Sequence, residues 1–275
     1  MNRFSRRSVT GHGRVAVNLT SFGHRIDSVF YAVETIAAGA VKPCRLILWL
    51  DDESVLADLP PSLERLRDRG VEILQCPDYG PHKKQYPYAL TAPQLPLVAA
   101  DDDVLYPRNW LAELLSAAAR HPEDVCGQRA HTIVFDGDAV APYSQWTRAR
   151  STESSFRRLC TGVSGIYYPP GLLTALRLEG LAFQQAAPRA DDLWVHAVAV
   201  RHGIRARQVS SVQAEYPAIP GTQRGTLYRE NVADGGNDIQ WAASVGAAEI
   251  ARMRRDDPYE FGPLPGVATV STDGD

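Results

Sequence analysis

The sequence predicts a single α/β domain built on a mixed, mostly parallel sheet flanked by helices. Three observations predict it. Short apolar runs without alternation, at residues 45–50, 71–76 and 95–100, fit strands buried on both faces. Helical stripes at 27–38, 61–69 and 107–120 fall between or beside those runs. The resulting order of strand, helix, strand, helix is the signature of right-handed crossovers on a parallel sheet.

Taken in order, residues 1–13 are polar with two glycines and read as a loose arm. Residues 14–19 form a first strand that runs into the turn Thr20-Ser21-Phe22-Gly23. The helix at 27–38 carries Val29, Val33, Ile36 and Ala37 on one stripe, with Gly39 placed to stop it. The second strand, 45–50, ends in Asp51-Asp52-Glu53, and a Leu/Arg/Glu-rich helix leads to the third. The stretch 79–88 is the most basic and aromatic loop of the chain. It precedes the fourth strand, 95–100, and the amphipathic helix 107–120. Residues 125–135 alternate and read as one further strand, closed by the turn Asp136-Gly137-Asp138. An irregular excursion covers 141–160, and a short helix covers 172–178. A helix then begins at Asp191-Asp192, one of which caps it, and closes at Gly203. His196 and His202 in it read as packing or solvated side chains. A last strand, 206–211, precedes a pattern that dissolves from Tyr216 through Tyr228-Arg229-Glu230-Asn231. A helix over 239–254 and a polar tail, 256–275, complete the chain.

A chain of 275 residues buries one sizeable core. A net charge of -3 leaves no basic excess to neutralise phosphates, which argues against a general nucleic-acid binder. Cys44, Cys76, Cys126 and Cys160 are scattered, with no C-x-x-C spacing, so they read as reduced core thiols of a cytoplasmic protein. The basic start, Met1 to Arg7, has no apolar stretch behind it and is not a secretory signal. No run approaches the length of a membrane span, so membrane contact is at most peripheral. Nothing in the residues sets an oligomeric state.

The chemistry concentrates where the fourth strand ends in Asp101-Asp102-Asp103. Two like charges about 4 Å apart repel by roughly 4 kcal/mol at an effective dielectric near 20, so something positive must sit among them. If the backbone stays extended, Asp101 and Asp103 share one side and Asp102 faces the other. Carboxyl ends of parallel strands are where open α/β sheets bind ligands, and paired carboxylates suit Mn²⁺ or Mg²⁺ with substrate phosphates. Lys83 and Lys84 lie on that same side, placed to meet a diphosphate. The glycines of Thr161-Gly162-Val163-Ser164-Gly165 permit close backbone approach to a ligand. Asp191-Asp192 supplies one acid more than a cap needs, and the spare one can serve as a base.

These pieces, in this order over residues 14–212, resemble the nucleotide-sugar-dependent glycosyltransferases of the GT-A (Rossmann-like) fold. The likeness is strongest to the bacterial family-2-type enzymes that build capsular and other surface polysaccharides. It is carried by Ala16 to Ser21, Leu46 to Leu50, the Gly80 to Tyr88 loop, Ala100 to Pro107, the segment 162–168 and Ala190 to Trp194. The resemblance implies a nucleotide-sugar half at 14–107, an acceptor and catalytic half at 108–215 and an extension at 216–255. It implies that Asp101 and Asp103 are the D-x-D pair. The last of them binds Mn²⁺ or Mg²⁺, and the first faces the ribose or the ion's water shell. Thr20, Ser21, Asp51 and Asp102 complete the donor side, with Lys83 or Lys84 offsetting charge on the diphosphate. Asp192, or failing it Asp191, is the general base of an inverting transfer. Gly162, Ser164, Gly165 and Trp194 face the acceptor, a glycan or glycoconjugate. The chain departs from the processive synthases: it has no membrane helices and no Gln-x-x-Arg-Trp motif, only Gln240-Trp241 as a distant echo. Single addition is implied rather than polymerisation.

Two rival readings use the same residues. A phosphatase of the haloacid dehalogenase type would use the first aspartate as nucleophile. Its motif, however, sits on the first strand and carries Thr or Val where this chain has Leu105. A non-catalytic sugar- or nucleotide-binding domain would keep the fold and lose the chemistry.

Overall fold

The computed structural model describes residues 5–222 and 235–256. In chain order these form β1 (Gly13–Thr20), α1 (Val29–Ala37), β2 (Pro43–Leu50), α2 (Glu53–Ala57), α3 (Pro61–Arg67) and β3 (Val71–Gln75). Then come α4 (Tyr86–Leu90), β4 (Leu97–Ala99), α5 (Trp110–Arg120), β5 (Val125–Gly127), β6 (Ala130–Thr132), β7 (Phe135–Asp136), β8 (Ala139–Val140), β9 (Thr147–Arg148) and β10 (Arg158–Cys160). The chain continues with β11 (Ile166–Tyr168), α6 (Pro170–Glu179), α7 (Phe183–Ala186), α8 (Asp191–Arg201), β12 (Ala206–Gln208), α9 (Gly236–Ser244) and α10 (Ala247–Arg255).

Among the described residues the main sheet runs β12-β5-β11-β4-β1-β2-β3. Strands β4, β1, β2 and β3 are parallel, β11 is antiparallel to both β4 and β5, and β12 is parallel to β5. The sheet is thus mixed and mostly parallel, as the apolar runs predict. Burial explains the absence of alternation. In β1, Val15, Val17 and Leu19 enter one core with α1, α3 and α5, while Ala16 enters a second with α4, α6 and α8. Each fully buried Leu or Ile stabilises the fold by roughly 1.5–3 kcal/mol. The carboxyl ends of β1, β2, β4, β5 and β12 all open on one edge, and the residues of interest gather there.

Several elements differ from expectation. Residues 125–135 are not one strand. Gly127 leaves room for Cys160, which a Cβ there would meet at 2.7 Å; the chain then bends at 128–129, and Gln208 Oε1 accepts from the Ala130 N–H at 2.9 Å where a ladder partner would be. Beyond Gly127 the chain leaves the main sheet: β10-β6-β9 form a small sheet, and β7-β8 form the hairpin around Gly137. That small sheet gives order to the excursion at 141–160. The 239–254 helix is two helices, because Gly246 is extended and Glu249 reaches back to its N–H at 2.9 Å to start α10. Elements not foreseen include α2 after the second strand, α4 inside the basic loop, β11 after the glycines and the short α7. The expectations for Tyr228 to Asn231 and for residues 257–275 fall outside the described residues.

Candidate active site

The three aspartates occupy the turn after β4. The strand ends at Ala99 and 102–103 are in a turn, so extended alternation does not hold. Asp101 faces Lys84, whose Nζ donates to its carboxylate. Asp102 and Asp103 instead converge on Arg25, whose Nη1 lies 3.1 Å from Asp102 and 3.3 Å from Asp103. Asp102 also accepts from the Ser21 hydroxyl at 2.6 Å, and the Asp101 N–H donates to the Tyr106 hydroxyl at 2.7 Å. The positive charge demanded by three adjacent carboxylates is therefore present in the chain itself, as Arg25 and Lys84.

Lys84 reaches the aspartates because of the turn Gly80–Lys84, which sits over the end of β1. Asn18 Nδ2, near the carboxyl end of β1, donates to the Lys84 carbonyl at 3.0 Å. Burial alone would lower the Lys84 pKa, but the carboxylates of Asp101 and Asp191 more than offset this and raise it. Its neighbour Lys83 points elsewhere, pairing with Asp51 at 2.7 Å and Asp78 at 3.4 Å. Of the two lysines expected at a diphosphate, only Lys84 joins the aspartates. Lys83 and Asp51 form a separate buried pair at the end of β2.

Asp191 and Asp192 form the first turn of α8, beyond Ala190 at its N-cap. Neither caps the helix. Asp192 instead accepts the N–H groups of Leu193, at 2.9 Å, and Gly162. Gln85 lies 3.4 Å from Asp191. Burial, then the Asp191 charge, push the Asp192 carboxyl up to about 7. A carboxyl tuned near neutrality is suited to taking a proton. Lys84 is the link between the two acid groups, because the charges of Asp101 and Asp191 both act on it.

The segment expected to face an acceptor divides. Gly162 lies beside Lys84, whose Nζ would be 3.7 Å from a Cβ there. Ser164 and Gly165 are buried within the protein. Ser164 is fully buried at φ +75, held by its hydroxyl to the Ala214 carbonyl at 2.8 Å and by its own carbonyl to Trp110 Nε1 at 2.7 Å. Gly165, at φ +99, admits no side chain, since a Cβ would meet the Trp110 ring at 2.7 Å. Trp194 is 4% exposed, in the core beside α6, and its ring has no face for a sugar. Thr20 donates to the Trp49 carbonyl at 3.0 Å, joining β1 to β2 at the same edge. His196 is packed, bonded to the Phe156 carbonyl at 2.9 Å, and the Gln240-Trp241 echo is buried.

Sequence reasoning did not single out Arg25, Asn18, Gln85 or Tyr106. The repulsion within the acid triplet was a usable signal for a basic partner, but not for which one, since Arg25 is bridged to Asp102 across 77 residues. The donor set suits a hard divalent cation. Burial and the Asp101 charge both raise the Asp103 carboxyl pKa, and the two side chains remain about equally part-exposed. Among the described residues, no three His, Cys, Asp or Glu side chains form a complete cage.

No protein-family model matches the sequence, and no curated protein matches it. Solved structures do share the fold. The mannosyltransferase PcManGT from Pyrobaculum calidifontis, in complex with GDP-Man and Mn²⁺, is similar at TM-score 0.55 and 14% identity, over 91% of this chain and 67% of that one. S. aureus TarS 1-349 in complex with UDP-GlcNAc is similar at TM-score 0.50 and 13% identity, over 78% of this chain and 60% of that one. The architecture is therefore one shared with a mannosyltransferase solved with GDP-Man and with TarS solved with UDP-GlcNAc. No helix among the described residues is long and apolar enough to cross a membrane.

Proposed function

We propose that this protein is a metal-dependent, inverting glycosyltransferase. It moves a sugar from a nucleotide-diphosphate donor to a hydroxyl of a glycan or glycoconjugate acceptor, as in cell-surface polysaccharide synthesis. The observation that carries the reading is the convergence of the Asp101–Asp103 turn, Lys84 and the Asp191–Asp192 pair at one sheet edge. The shared fold with a GDP-Man-bound mannosyltransferase supports it.

In this reading Asp192 takes the proton of the acceptor hydroxyl as its oxygen bonds to the anomeric carbon. The bond from that carbon to the diphosphate breaks, and the nucleoside diphosphate leaves with the electron pair. Attack opposite the leaving group inverts the anomeric centre. Lys84 offsets charge growing on the diphosphate. Asp101 and Asp103 would hold Mn²⁺ or Mg²⁺, which supplies further charge neutralisation there. Arg25 and Ser21 fix the turn that presents them. The triplet follows the fourth strand of the chain rather than the first, which disfavours the phosphatase alternative.

The test is calorimetric titration of UDP, GDP, CDP and dTDP forms with Mn²⁺ or with EDTA. One nucleotide class should bind only with the ion, and Asp103→Ala should weaken it by about tenfold or more. If a folded sample binds none of them, the reading fails.

A further inference from the structure

The small sheet places a row of donors beside the proposed base. The β10–β6 register pairs Leu159 with His131 and Cys160 with Ala130. The next pair, Thr161 and Arg129, is closed by Thr161 N–H to the Arg129 carbonyl at 3.1 Å. Side chains across such a pair share a face, as do residues two apart. His131 and Leu159 therefore share a face, with Arg148 opposite His131 and Arg129 near enough for its charge to act on His131. Leu159 belongs to one apolar cluster with Ala190 and Leu193, the residues that flank the acid pair. Thr161 precedes Gly162, whose N–H is bonded to Asp192. The Arg129–Thr161 end of the row thus adjoins the base.

These donors lack partners. Among the described residues the Arg129 guanidinium makes no hydrogen bond and no ion pair, and its Nε is buried. Thr161, 5% exposed, has a buried hydroxyl with no partner, and His131 has a buried, unpartnered Nδ1. Arg25, Arg45, Arg69, Arg201, Arg205 and Arg207, by contrast, all meet carboxylates. Burial, then the charges of Arg129 and Arg148, push the His131 imidazole down to about 4, so it stays neutral and the local charge comes from the arginines. Unpaired buried donors cost free energy, and a bound ligand can complete them.

We propose that the acceptor is anionic, and that Arg129 with Thr161 holds its phosphate or carboxylate group beside the hydroxyl that Asp192 deprotonates. The assignment rests on the glycosyl-transfer reading for the word acceptor. The anion site itself does not need it. A guanidinium matches either oxyanion with two parallel N–H bonds, and a neutral sugar would leave the charge uncompensated.

The test is calorimetric titration of the full chain with glycerol 3-phosphate, glucuronate and neutral glycerol. EDTA is included so that no ion draws phosphate to Asp103. At least one anion should bind, and the stronger of the two names the group. Glycerol should not bind. Arg129→Gln should weaken anion binding by about tenfold or more, and Arg129→Lys by less. The melting temperature of Arg129→Gln should not fall, because no partner is lost. The proposal is overturned if neither anion binds, if glycerol binds as well, if Arg129→Gln binds like the parent, or if that variant melts well below it. No nucleotide is used, so a failed donor titration with a successful anion titration removes only the transfer reading. The reverse pattern removes only the anion site.

Discussion

The Ser21 hydroxyl donates to the Asp102 carboxylate at 2.6 Å, joining the end of β1 to the turn after β4. The two residues are 81 positions apart, and both are buried. Burial pushes the Asp102 carboxyl pKa up, while Ser21 and then Arg25 pull it back toward ionisation. Ser21→Ala removes one donor from a buried carboxylate without opening much space. It should cost about 1–3 kcal/mol, read as a lower urea midpoint with an unchanged slope. A midpoint equal to the parent's would mean that Asp102 relies on Arg25 alone.

The two adjacent lysines should separate cleanly. Lys84 faces Asp101, whereas Lys83 faces Asp51 and Asp78. Lys84→Met should therefore weaken nucleotide binding by about tenfold or more, in the same titration that identifies the donor. Lys83→Met should leave nucleotide affinity within about twofold and lower the melting temperature instead, because it strands the partly buried Asp51. Equal losses of affinity in the two variants would place the diphosphate over both residues.

How much of this was legible in the sequence depends on the range of the physics involved. The strands β1, β2 and β4 were readable because burial on both faces writes a continuous apolar run. The acid groups were readable because like charges in sequence stay near one another in space. What failed was set by distant partners. Residues 125–135 alternate like a strand, yet the chain bends after Gly127 and the Ala130 N–H goes to the side chain of Gln208, 78 residues away. Trp194 and Ser164 looked available for an acceptor, but whether an aromatic or a serine faces solvent depends on what packs over it. Trp110 and Ala214, far away in sequence, decide that for Ser164. The alternation expected for Asp101 to Asp103 needed an extended backbone, and the chain had already turned.

Asp192 gives the pH dependence its sign. As a base it must be unprotonated, so turnover should rise with pH through about 7 and level off above it. Stability runs the other way. The folded pKa lies above the unfolded one, so this group's contribution is fully present below about pH 4 and is lost as pH rises through about 7. Asp192→Asn removes the buried charge and keeps the shape. It should abolish turnover, keep metal-dependent nucleotide binding, and raise the melting temperature near pH 8 by several degrees. A lower melting temperature there would show that Asp192 is held ionised by its N–H donors and is not tuned as a base.

Trp194 provides the corresponding check on the acceptor side. Its ring is buried with Val195, Val198 and the α6 leucines, and Arg201 lies 5.8 Å from its centre. Trp194→Ala should cost about 3–5 kcal/mol through the cavity left behind. Trp194→Phe, which keeps most of the volume, should cost less than about 2 kcal/mol. Because the ring offers no face to a sugar, Trp194→Phe should leave the acceptor KM within about twofold while shifting the urea midpoint. A raised acceptor KM with an unshifted midpoint would mean that the ring turns outward when acceptor binds, and would return Trp194 to the acceptor site.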